Sequence, residues 1–149
     1  MKFIKVTSEN IDTLYDLNRQ LATAEGQKDL FTAAFEEYSK GFLADRPIAY
    51  GTLCYQDNIA IGFAICNYKF ATYLGSNVLY IEDIYLKETY NTNDNKKELL
   101  HYLIELASAE NCARVEMRVL NNCNLGTELI NELGFEKIEK WSVYRLSNK

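Results

Sequence analysis

A chain of 149 residues, 48% hydrophobic and 25% charged, has the length and make-up of one globular domain, residues 1–149, and not of a disordered or fibrous polymer. Its formal net charge of -5, with no run among the Lys and Arg positions, argues against a nucleic-acid partner and is compatible with a cationic substrate. The first residues, MKFIKVTSEN, hold no long apolar run, so neither a signal peptide nor a membrane partner is expected.

In chain order, Phe3 to Val6 reads as a short strand, and Thr7 or Ser8 offers a cap for a helix over residues 8–24. Ile11, Leu14, Tyr15, Leu17 and Leu21 give that helix one apolar face, and Gly26 stops it. A second helical pattern runs from Lys28 to about Ala44, with Pro47 marking the exit. Strands over 48–55 and 59–71 follow, joined by a hairpin turn at Asp57 and Asn58. Another strand covers 78–86, and a helix over 95–110 carries Leu99, Leu100, Leu103, Ile104 and Ala107 on one stripe. His101 lies off the stripe and reads as a surface residue. A strand over 112–120, a polar turn at 121–124 and a short helix over 125–133, ended by Gly134, lead to two last strands over 135–138 and 141–146. The sum is a mixed α/β sheet with one main crossover helix.

Cys54, Cys66, Cys112 and Cys123 form no C-x-x-C pair and accompany a single histidine. They read as small buried thiols of a reducing, cytoplasmic compartment, and no metal site is expected. Eleven tyrosines suit a ligand cleft or a dimer face, although strand propensity alone accounts for many.

The stretch from Ser76 to Leu100 carries the chemistry. Between Val78 and Leu86 every residue is aliphatic or tyrosine except the adjacent Glu82 and Asp83. In a regular strand these two carboxylates point to opposite faces, so at least one is costly unless paired or placed in a cleft. A partly buried carboxyl becomes a better proton acceptor, so a general base and a strand-end carboxylate bonded to backbone or Lys remain equal alternatives. The following loop has no glycine but carries Asn91, Asn93, Asp94 and Asn95, residues that accept left-handed angles and cap helices. A helix N-terminus after a strand suits an anion; Asp94 opposes that use, while Lys96 and Lys97 support it.

The segments I-G-F-A (Ile61–Ala64), L-Y-I-E-D-I-Y (Leu79–Tyr85) and E-L-G-F (Glu132–Phe135), in this order, resemble the GNAT superfamily of acetyl-CoA-dependent N-acyltransferases. The similarity is marked toward the diamine (spermidine/spermine) acetyltransferases. It implies a mixed, mostly antiparallel sheet of about 6–7 strands with about 4 helices, expected from the family rather than from periodicity. It also implies acetyl-CoA between strands 78–86 and 112–120. Ile84, Tyr85 and Leu86 would bond the pantetheine, and Asn93, Asn95, Lys96, Lys97 and Asn122 the rest of the cofactor. Glu82 would be the catalytic base for direct attack of a small, polyamine-like primary amine on the thioester. Glu25, Asp83, Glu139 and Trp141 would hold that amine, and a homodimer is a family-level expectation.

Two departures stand out. The family's loop is typically R-G-x-G-x-G, where this chain has Asn91 to Lys96; its tyrosine acid aligns with Ile130. They leave a second reading open, a catalytically silent fold kept for binding a ligand or partner.

Overall fold

The computed structural model describes residues 1–120 and 126–147. Strands β1 (Lys2–Lys5), β2 (Tyr50–Gln56), β3 (Ile59–Ala71), β4 (Ser76–Leu86) and β5 (Arg114–Met117) form one sheet in sequence order. Every pairing is antiparallel except β4–β5, which is parallel. Among the described residues there are four α-helices, α1 (Ile11–Ala24), α2 (Phe35–Leu43), α3 (Asn93–Ala109) and α4 (Thr127–Glu132). Parallel neighbours cannot be joined by a tight turn, and α3 makes the crossover.

Both faces of the sheet are covered. Leu14, Leu17 and Leu21 of α1 pack with Leu53, Phe63 and Ile65 on one side. Leu99, Leu100, Leu103 and Ala107 of α3 pack with Ile61, Leu79 and Ile81 on the other. This double burial is why β3 and β4 read as nearly continuous apolar runs. At the β2–β3 turn, Asp57 (φ 50°) and Asn58 (φ 64°) are both left-handed, as a two-residue hairpin whose twist matches its strands requires. Gly26, at φ 68°, closes α1: its N–H donates to the Thr23 carbonyl at 3.1 Å, and the next N–H, of Gln27, to that of Ala22 at 2.7 Å.

Three elements differ from expectation. The helix expected over 28–44 is a 3-10 turn at Lys28–Leu30 followed by α2, with Ala34 extended (φ -67°, ψ 146°) between them. Tyr15 of α1 explains the break. Its hydroxyl donates to the Ala33 carbonyl at 2.9 Å, and its ring meets Phe31, Phe35 and Tyr38 edge-on at 5.1–5.4 Å. β5 is four residues long because its ladder ends where β4 changes register. The strands expected over 135–138 and 141–146 are not formed, so among the described residues the sheet has five strands and not six or seven. Trp141, Val143, Tyr144 and Leu146 are all exposed there. Strand propensity needs a ladder partner to become a strand, and no described residue supplies one.

No helix of the described residues is long and apolar enough to cross a membrane.

Candidate active site

The site is built on an irregularity in β4. Ile65 faces Asp83 and Cys66 faces Ile81, which leaves Glu82 as an extra residue, a β-bulge. The bulge shifts the alternation by one. Leu79 and Ile81 pack on the α3 side, and beyond the bulge so do Ile84 and Leu86, whereas Tyr85 packs on the α1 side against Phe63. The rule that adjacent side chains point to opposite faces, applied above to Glu82 and Asp83, therefore fails here. Both carboxylates reach one guanidinium: Arg118 Nη2 lies 2.6 Å from Glu82 Oε1 and 3.7 Å from Asp83 Oδ1. Arg118 follows directly on the last ladder pair, Ile81 with Met117, so it stands where β4 and β5 part.

Glu25, the residue that ends α1, is within electrostatic reach of this pair. Loss of water around its carboxyl raises its pKa, the Asp83 charge raises it further, and Arg118 opposes both. Burial likewise raises the Asp83 carboxyl, most strongly opposed by Arg118 and reinforced by Glu82. Tyr38 of α2, whose hydroxyl is bonded by the Asn18 amide at 3.0 Å, is raised chiefly by burial and also feels Asp83. Three carboxylates against one guanidinium leave a net negative site. Such a group can bind an ammonium ion and accept its proton. Beside it, between α1 and the 3-10 turn that follows, an open hollow of about 670 Å³ is lined by Arg19, Thr23, Lys28, Phe31 and Tyr85 among others.

On the β5 side, the ladder ends at Ile81, so Ile84, Tyr85 and Leu86 have no β5 partner among the described residues. Their other edge is bonded to β3, where the approach is so close that a Cβ on Gly62 would lie 2.2 Å from the Tyr85 carbonyl oxygen. A 3-10 turn at Glu88–Tyr90 then leads to α3, capped by Thr92, whose hydroxyl accepts the Asn95 N–H at 3.2 Å. The Asn95 side chain donates to the Tyr90 carbonyl at 2.8 Å. No residue of this loop is left-handed, contrary to the expectation for its asparagines. The 3-10 turn and the threonine cap close it with ordinary angles. The N–H groups of Asn93 and Asp94 have no acceptor among the described residues. Lys96 is buried, its Nζ 3.4 Å from Asn93 Oδ1, and Lys97 pairs with Glu132 at 2.8 Å. Asn122 lies outside the described residues.

The structure thus brings Glu25, Glu82 and Asp83 together. Glu139 pairs instead with Lys137 at 2.9 Å, and Trp141 is 75% exposed. Arg118 was not anticipated, although an arginine at the end of one splayed strand beside two carboxylates at the end of its neighbour was a readable signal. Among the described residues no His, Cys, Asp or Glu side chains cluster closely enough to hold a metal ion.

The family model of the acetyltransferase (GNAT) family matches residues 11–135. The chain belongs to the GNAT family. That family is described as one of acetyltransferases. A thialysine N-epsilon-acetyltransferase from Bos taurus is 24% identical to this GNAT chain over 97 residues. That stretch is 63% of this chain and 56% of the bovine protein, so the match spans little more than half of the relative. Among solved structures, a probable acetyltransferase superposes with a TM-score of 0.81 at 18% identity, covering 100% of this chain and 99% of the other. The ribosomal-protein-alanine N-acetyltransferase of Brucella melitensis biovar Abortus 2308 gives 0.77 at 16%, covering 99% of each. An aminoglycoside N-acetyltransferase in complex with CoA gives 0.75 at 16%, covering 97% and 93%. At these identities the likeness is one of fold.

Proposed function

We propose that this chain is an acetyl-CoA-dependent N-acetyltransferase acting on a small, polyamine-like primary amine. The observation that carries the proposal is the pairing of Glu82 and Asp83 on one cation at the mouth of the β4–β5 splay, with Glu25 at the end of α1 within electrostatic reach of Asp83 and Arg118. Net negative charge in a cleft concentrates an ammonium ion and orients it. In this reading Glu25 and Asp83 hold the acceptor and Glu82 takes its proton, directly or through water, which leaves a neutral nucleophilic amine. Glu139 and Trp141 are left out of the pocket, since one is engaged with Lys137 and the other faces solvent.

The cofactor that the family uses fits the residues present. The unpartnered edge at Ile84, Tyr85 and Leu86 would bond its amide-bearing arm, and the free N–H groups of Asn93 and Asp94 at the start of α3 would hold its phosphates. When bound, acetyl-CoA supplies the activated acetyl group. The acidic cluster favours this enzyme reading over a silent binding fold. Ile130 of α4 carries no proton, so the chain's proton handling rests on the carboxylates.

Calorimetric titration with acetyl-CoA and with free CoA is expected to give micromolar binding, about -8 kcal/mol. An amine panel beginning with polyamines, followed by thiol release, is expected to show turnover that Glu82→Gln lowers about 10²- to 10⁴-fold without altering the circular dichroism. No binding at millimolar acetyl-CoA would refute the activity. Unchanged turnover in the variant would refute the base.

A further inference from the structure

The acceptor cleft already contains a cation. Arg118 contacts Glu82 and Asp83 through a single nitrogen, Nη2, and its side chain is 53% exposed. A guanidinium held in a bidentate fork is strongly fixed, whereas a one-nitrogen contact facing solvent exchanges readily. The two contacts are unequal, 2.6 Å to Glu82 and 3.7 Å to Asp83.

Two other cations of the sheet are engaged elsewhere. Lys69 lies 3.7 Å from Glu116 and 3.2 Å from the centre of the Tyr80 ring, and Arg114 pairs with Glu116 at 2.7 Å. We infer that Arg118 is a positioning and specificity residue, a resident cation that keeps both bulge carboxylates turned to one side and that the acceptor's ammonium replaces at Asp83. The inference rests on reading the acidic cluster as the acceptor site.

Two consequences follow from the exchange. An acceptor must carry a positive charge to displace Arg118, so a neutral analogue of the same shape gains nothing from the cluster. Arg118 also sets the charge state of its surroundings. The groups that interact with it are Tyr80, Glu82 and Asp83 from β4 and Glu25 from α1; around these, Tyr38 of α2 feels Asp83 and Glu116 of β5 feels Tyr80. It opposes the upward shift at both Asp83 and Glu25, so removing it moves both carboxyls further up.

The test uses Arg118→Met, which removes the charge and keeps a long stem, with Arg118→Lys as the conservative control. n-Butylammonium is titrated into the cofactor-free protein by calorimetry, with n-butanol as the neutral probe, and the carboxyl carbons of Glu25 and Asp83 are titrated by ¹³C NMR. The methionine variant is expected to bind n-butylammonium about fivefold tighter. Its two carboxyls are expected to titrate at higher pH, with the lysine variant near wild type. In wild type the Arg118 Nε–H signal is expected to shift when n-butylammonium, but not n-butanol, is added. Equal or weaker binding with unmoved carboxyls, or a silent Arg118 signal in wild type should the variant fail to fold, would overturn the inference. Ammonium binding that moves Arg118 without turnover of any amine would instead sink the acetyl-transfer reading and leave this one standing.

Discussion

Replacing Gly62 by alanine drives a methyl group into the end of β4 that the proposed function depends on. The new Cβ would lie 2.2 Å from the Tyr85 carbonyl oxygen, 2.7 Å from Leu86 Cδ2 and 3.1 Å from Leu86 Cα. Even close C–H···O contacts keep about 3.3 Å between carbon and oxygen, so the two backbones must part by about 1 Å. A side-chain tip could rotate away, but a carbonyl fixed in a ladder cannot. The loss is therefore expected at the upper end for overpacking, about 3 kcal/mol, or about 10 °C in melting temperature for a chain of this length. Displacing Tyr85 and Leu86 also moves the edge proposed to bond the cofactor, so acetyl-CoA affinity is expected to fall at least tenfold, on the order expected for a 1 Å misplacement. Urea unfolding followed by circular dichroism measures the first effect and calorimetry the second. Gly41 in α2 is the control, because its added Cβ would meet only Ile48 Cγ1, at 3.9 Å. Gly41→Ala should be neutral or stabilising by up to about 1 kcal/mol. A Gly62→Ala protein that melts within about 2 °C of wild type would refute the reasoning.

Two further predictions concern titrating groups. The Asp83 carboxyl is raised on folding, so its ionisation costs nothing below the unfolded pKa and an increasing amount as pH climbs through the folded one. Asp83→Asn is accordingly expected to be more stable than wild type at pH 7, with the gap closing on acidification; urea unfolding at several pH values checks it, and a gap that widens in acid would contradict it. Burial pushes the Cys54 and Cys66 thiols up to about 12, so near pH 8 only about 10⁻⁴ of each is thiolate. Iodoacetamide should label these two cysteines only after unfolding, and mass spectrometry of native protein showing rapid labelling would be inconsistent with the packing.

Much of the frame was legible because its causes are local. β3 runs from Ile59 to Ala71 as its pattern predicts, the Asp57–Asn58 turn takes the angles those residues tolerate, and α1 stops just before the left-handed Gly26. What was missed depends on distant partners. The break at residues 31–34 is held by Tyr15, far back in the chain, and strand-like composition over 141–146 met no ladder. Resemblance to a known family placed Glu25, Glu82 and Asp83 in one site, but their relation to Arg118 rests on register across a parallel pair, which no single segment displays. The bulge itself was written in the apolar residues, whose parity changes from Leu79 and Ile81 to Ile84 and Leu86. Reading the stretch as one uniform run hid that change.

The bulge at Glu82 makes the site depend on a count as well as on chemistry. Deleting this one residue would let β4 zip onto β3 without interruption: Asp83 would still face Ile65, and plain alternation would carry Leu79, Ile81, Ile84 and Leu86 to the α3 side as now. The hydrophobic packing would survive the loss, and only the sharing of one side by two neighbouring carboxylates would go. In an unbulged strand no exchange of letters would restore that pairing, because neighbours there point to opposite faces.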